Sequence, residues 1–219
     1  LPAFHAQPGL TKIFREADEW GKVIGCASIA RLNRLIDHGG IEDVVRVAEA
    51  LHEKKLAQTA DFITMHRNEA RVILIAGPSS SRKTTFAQRL SVQLKVNGVQ
   101  PVPISLDDYF LDREQTPRKP DGGHDFESIR ALDLDLLNEH LEALLAGDAV
   151  KVPRYNFMTG QREYRGQTIC VRDDQPLILE GIHGLNDLLT AGVPAWKKIK
   201  IYISALTQLT LDEHNRIPT

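Results

Sequence analysis

Residues 77–85, Gly-Pro-Ser-Ser-Ser-Arg-Lys-Thr-Thr, decide how the rest of the chain is read. They match the phosphate-binding-loop pattern G-x-x-x-x-G-K-[ST] at every fixed letter but one, because Arg82 stands where the second glycine belongs. Such a loop needs backbone N–H groups turned inward, a helix N-terminus behind them, a lysine for the phosphates and a hydroxyl for Mg²⁺. The context supplies these parts. Val-Ile-Leu-Ile-Ala at 72–76 is a short apolar run of the kind buried on both faces of a parallel sheet. Lys83 and Thr84 close the loop, and Phe86, Leu90 and Leu94 then share one face of a helix that ends near Asn97 and Gly98. Arginine at position 82 adds a Cβ and bulk where phosphate must approach the main chain, although its charge favours phosphate. Weaker nucleotide binding is the expected consequence.

Beyond the loop the apolar runs continue. Residues 101–105, 176–180 and 199–204 read as strands, and Leu137, Leu141, Leu144 and Leu145 mark a helix stopping around Gly147. Residues 149–155 and 167–171 read as a β-hairpin closed by the polar loop around Thr159 and Gly160. Strands alternating with helices predict an α/β fold with a mostly parallel sheet flanked by helices. Upstream, residues 10–66 are patterned as helix throughout, with a break at Gly39-Gly40. The expected organisation is therefore a helical connector over 1–68 and a sheet-containing core over 69–219.

Two carboxylates fall just past strand ends, where open α/β sheets bind their ligands. ISLDDYF delivers Asp107, and LILEG delivers Glu180. Transfer of a phosphoryl group to a hydroxyl needs one carboxylate to orient or deprotonate the acceptor and another near the metal. Asp108 is read as a structural neighbour, since adjacent residues do not readily aim at one point.

The remainder of the composition sets limits. The 219 residues carry a net charge of −2, with 26% charged and 42% hydrophobic residues, which suits a globular chain and not a general nucleic-acid binder. Cys26 and Cys170 have no metal-like spacing and are expected to be buried, reduced thiols of a cytoplasmic protein. No apolar run reaches membrane-spanning length, so neither a membrane nor a nucleic acid is expected as partner. The chain opens on Leu1 instead of Met, so residues upstream are expected.

Taken in order, GPSSSRKTTFAQRL, PVPISLDDYF, DFES, VPRYNFMTGQRE and LILEGIHGLN resemble the phosphoribulokinase/uridine kinase family of P-loop kinases, from about Arg71 onward. The segment before it resembles the connector of bacterial uridine-kinase-like proteins. The resemblance implies ATP and Mg²⁺ as cofactors and a nucleoside or related small metabolite as acceptor. It places Gly77, Ser79, Ser80, Ser81, Arg82, Lys83, Thr84 and Thr85 around ATP, with Thr84 and Glu180 toward the metal. Asp107 matches the family's catalytic base, with Lys83 on the transferring phosphate. Glu127, with Asp125 beside it, matches the acidic residue that holds a ribose diol, and Tyr155 and Phe157 match the aromatic wall for the base.

Three departures stand out. Arg82 leaves open a catalytically impaired or regulatory nucleotide-binding module. Gly160 occupies the place of a base-reading histidine, so pyrimidine specificity does not transfer. The chain stops at LDEHNRIPT, short of the family's arginine-bearing lid. Arg113, Arg162 and Arg165 are candidate phosphate contacts but read as solvated surface, His183 reads as a structural histidine rather than one facing the acceptor, and His124 and His214 show no metal-ligand spacing. Asp212 and Glu213 are expected to open a helix, and homo-oligomerisation stays open.

Overall fold

The computed structural model describes residues 8–204, 209–211 and 215, so the expectations for Asp212, Glu213 and His214 lie outside the described residues. These residues form two compact units, divided after Lys55 and after Ser204.

The first unit is helical. Helix α1 spans Pro8–Ile24 and α2 spans Ile29–Asp37. Ser28 caps α2 by accepting from the Arg31 N–H at 3.3 Å, as a short hydroxyl does where a helix leaves its first donors unpaired. Helix α3, Ile41–Met65, starts in this unit after the Gly39-Gly40 break, and its first turn carries Glu42 and Asp43, the charge sign a helix N-terminus favours.

The second unit is built on a four-stranded parallel sheet in the order β2-β7-β1-β8. The strands are β1 (Val72–Ala76), β2 (Val102–Ser105), β7 (Leu177–Glu180) and β8 (Lys198–Tyr202). Side chains of a strand alternate between faces, and both faces here are covered. Val72, Leu74, Leu177 and Leu179 point to one core with Leu137, Leu141 and Leu144 of helix α5 (Leu134–Ala146). Ile73, Ile75 and Ile178 point to the other, with Ala87, Leu90 and Leu94 of helix α4 (Lys83–Val96). Leu56, Ala60 and Ile63 from the second half of α3 join that core. The sheet-containing unit thus begins at Leu56, inside the helix, and not at residue 69 as its apolar texture suggests.

Register decides what meets at the sheet's carboxyl edge. Ile75 pairs with Glu180, and Glu180 pairs with Ser105. The phosphate loop after β1, the residues after β2 and Glu180 itself therefore emerge side by side.

The predicted hairpin is two short ladders. Val150–Lys151 (β3) pairs with Thr168–Ile169 (β6), and further out Arg154–Asn156 (β4) pairs with Gln161–Glu163 (β5). Asn156 closes the turn by accepting from the Met158 and Thr159 N–H groups, and Gly160 adopts φ +71°. Both cysteines are unpaired. Cys26 is buried, but Cys170 is exposed, which corrects the expectation for that thiol: Ile169 of β6 packs against the core, while the next residue, Cys170, is exposed and directs its Sγ to the Gly147 carbonyl.

Candidate active site

The loop after β1 keeps the backbone of a phosphate cradle. Gly77 is required there, because a Cβ would lie 2.5 Å from the Ile203 carbonyl oxygen and 2.6 Å from Ser81 Oγ. Ser80 and Arg82 both have positive φ, 64° and 60°. Arg82 sits in the left-handed region (ψ 37°), the conformation a glycine adopts freely and an L-residue reaches only at a cost of ~1–2 kcal/mol. The chain therefore takes the glycine's conformation with an arginine in place, and the side chain is exposed.

Helix α4 begins at the next residue with no side-chain cap. Its first N–H groups have no partner within the helix, the general condition of a helix N-terminus. Ser81 Oγ is buried without a hydrogen-bond partner, and Lys83 Nζ donates to the Pro78 carbonyl at 2.9 Å. An orphaned hydroxyl, an uncapped helix start and a lysine folded over the loop suit a triphosphate tail.

Glu180 gathers the hydroxyls at this edge of the sheet. Its Oε1 accepts from Thr84 Oγ1 at 3.0 Å and from Ser105 Oγ at 3.5 Å. Among the described residues no group of three or more His, Cys, Asp or Glu could hold a metal by itself. A hydroxyl and one carboxylate beside a phosphate loop are nonetheless a fitting donor set for Mg²⁺, which binds through few protein oxygens plus substrate phosphate and water.

Asp107 is the second residue of the 3₁₀ turn Leu106–Tyr109 that follows β2. Its carboxyl keeps access to solvent, yet its pKa is raised. Desolvation by the surrounding protein is the main cause and the Glu180 carboxylate adds to it, while Lys83 pulls the other way. Asp108 takes the structural part expected of it, accepting from the Tyr155 N–H at 3.2 Å and so tying the hairpin to the sheet.

One cavity of about 520 Å³ brings these parts together. Ser79, Ser80 and Lys83 line it with Asp107; Glu127, Tyr155 and Phe157 line it as well. Asp125 is not among the lining residues; its Oδ1 accepts from the Glu127 N–H at 3.2 Å and shapes the turn that presents Glu127. Thr84 and Glu180 line an adjoining hollow of about 660 Å³, and Thr85 is exposed on α4.

Four lining residues, Phe110, Arg113, Phe126 and Ile182, were not among the expected site residues. Phe110 and Phe126 stack edge to face at 5.7 Å, and Phe110 meets Tyr155 at 5.5 Å, so the aromatic wall has four rings instead of two. Arg113, read as surface, also lines the cavity. Its position shortly after Asp107 was the available signal. Arg162 and Arg165 pair with Asp133 and Glu163, and His183, pushed below its usual pKa by burial, is hydrogen-bonded to the Ser128 backbone.

Comparison with known proteins bears on the family and the fold. Residues 72–214 match the model of the phosphoribulokinase/uridine kinase family. The chain is 35% identical to a uridine kinase of Vibrio campbellii over 122 residues, which cover 55% of this chain and 56% of the relative. It is 38% identical to a uridine kinase of Schizosaccharomyces pombe over 121 residues, 54% of this chain and 26% of the relative. The chain spans about half the length of the curated relatives it matches first. Its fold is similar to that of a possible uridine kinase from Bacillus stearothermophilus, with TM-score 0.52 and 23% identity over 68% of this chain and 80% of the other. No helix among the described residues is long and apolar enough to cross a membrane.

Proposed function

The chain belongs to the phosphoribulokinase/uridine kinase family, and on that footing we propose that it transfers the terminal phosphoryl group of ATP to a hydroxyl of a nucleoside or related small metabolite. The observation that carries this reading is the shared cavity: Ser79, Ser80 and Lys83 of the phosphate loop open onto the same space as Asp107, Glu127 and Tyr155.

In this reading the N–H groups of residues 79–85 and Lys83 receive the phosphates. Lys83 exchanges its bond to the Pro78 carbonyl for one to phosphate oxygen. Thr84 and Glu180 would hold Mg²⁺, which when bound would supply neutralising charge for the phosphate oxygens. Glu127 accepts from the acceptor's hydroxyls, and the aromatic wall takes its flat ring. Asp107 accepts the proton of the attacking hydroxyl as its oxygen bonds to the γ-phosphorus and the bond to the β-γ bridging oxygen breaks, releasing ADP. Its raised pKa makes it a better proton acceptor than an ordinary carboxylate.

The impaired-module alternative rests on Arg82 alone. Its left-handed backbone and exposed side chain favour a loop that still works. The test is ADP release with Mg·ATP across purine and pyrimidine nucleosides and sugar-like alcohols. Acceptor-dependent ADP release that falls at least about a hundredfold in Asp107→Asn is the expected result. Undiminished turnover in that variant, or hydrolysis indifferent to every acceptor, would refute the proposal.

A further inference from the structure

Arg113 is held in place by the turn at Gly160. Gly160 has φ +71°, and a Cβ there would lie 2.7 Å from Arg113 Nε and 2.8 Å from Cζ. The bare glycine therefore leaves the space that the guanidinium fills. Two further bonds fix the pair: the Arg113 N–H donates to the Gly160 carbonyl at 2.8 Å, and Nη2 donates to the Phe157 carbonyl at 2.9 Å. No carboxylate among the described residues pairs with this cation.

Its surroundings point to a ligand. Tyr155 Oη is buried without a hydrogen-bond partner although its ring lines the cavity, and the Arg113 charge acts on that hydroxyl. Arg113 also borders a second hollow of about 220 Å³ with Gly160 and Arg118, which contains no phosphate-loop residue. It thus marks the margin of the main cavity away from the phosphates, beside the rings of Tyr155 and Phe157, which stand 5.0 Å apart. A guanidinium offers only donors, and an unpaired phenol can donate as well. A flat ring lodged against these aromatics would meet a donor-rich edge.

Resting on the kinase reading above, we propose that Arg113, seated over Gly160 and joined by Tyr155 Oη, selects acceptor nucleosides whose base presents carbonyl oxygens at that edge over those that present an exocyclic amine. Uracil and the 6-oxopurines offer acceptors where cytosine and adenine offer an N–H₂ donor, and a donor facing a guanidinium leaves both unpaired. The specificity is written in the arginine, and the glycine is what makes room for it.

The test separates this inference from the activity it rests on. Nucleoside binding is measured by calorimetry without ATP, and kcat/KM for ADP release is measured in parallel, using uridine, cytidine, inosine and adenosine. The protein is expected to favour uridine over cytidine, and inosine over adenosine, by about tenfold or more in at least one of these pairs. That ratio should collapse toward one in Arg113→Ala. Arg113→Lys, which keeps the charge but not the fork, should fall between. Thermal melts confirm that the variants fold, and Arg113→Lys decides the question should Arg113→Ala fail to. Equal use of keto and amino bases by the natural protein, or a preference unchanged in both variants, overturns the assignment while leaving the kinase reading intact. Selective, Arg113-dependent binding with no phosphoryl transfer upholds the assignment and sinks the kinase reading. Absence of binding by all four nucleosides overturns the assignment.

Discussion

Arg82→Gly measures directly what the substituted phosphate loop costs. At φ 60° and ψ 37° the arginine occupies a conformation that costs an L-residue ~1–2 kcal/mol. Glycine removes that strain but gives back ~0.5–1 kcal/mol in backbone entropy. Compared with Arg82→Ala, which keeps the strain while losing the same side chain, the glycine variant should therefore be more stable by just under ~1 kcal/mol. For a domain of this size that is a melting-temperature difference of about 2–4 °C.

The second arm is ATP affinity. Because the arginine side chain is exposed and the loop backbone already has the glycine geometry, calorimetry should show Mg·ATP binding to the natural chain. Arg82→Gly should shift that affinity by less than about tenfold, since a single exposed charge contributes ~1 kcal/mol or less. Binding by the glycine variant alone would refute the argument that backbone conformation, and not the residue's identity, preserves the cradle. A glycine variant melting no higher than the alanine variant would refute the strain assignment.

Two further outcomes follow from the same site. Asp107 has a pKa raised above its unfolded value, chiefly by desolvation and then by Glu180, so the folded chain holds its proton more tightly than the unfolded chain. Stability from this group is present in acid and is lost as pH rises through the raised pKa. Asp107→Asn should accordingly melt higher than the natural chain at neutral pH, with the gain vanishing below about pH 4; a gain that persists in acid would disprove the linkage. Gly77→Ala would place a Cβ 2.5 Å from the carbonyl oxygen of Ile203, a residue whose N–H donates to the Ala76 carbonyl at 2.7 Å, and should cost ~1–3 kcal/mol, read as a drop in melting temperature. An unshifted melt would show that the loop can yield.

Much of the site was legible because short-range patterns encode it. The run at 72–76 forms β1, and Asp107 and Glu180 stand at strand ends, so their arrival at one edge follows from a parallel sheet. Glu127 and Tyr155 were named from motif order and do line the cavity. The unit boundary was not legible. Leu56, Ala60 and Ile63 repeat at the spacing of any amphipathic helix, and nothing local says that the second half of α3 packs against Ile73 and Ile75. The outer ladder of the hairpin was also missed, since strands of three residues leave too little alternation to detect.

Arg113 and Gly160 show the limit most clearly. In sequence they are an arginine in a polar stretch and a turn glycine 47 residues later. Only folding puts the guanidinium in the volume a Cβ would have filled. By itself the sequence determined the sheet, the phosphate loop and the acidic residues at strand ends, because alternation, glycine geometry and strand-end position are properties of neighbouring residues. The four-ring wall, the shared hydrogen bonds at Glu180 and the seating of Arg113 were decided by tertiary structure, because each depends on which distant side chains the packing of the core brings within a few ångströms of one another.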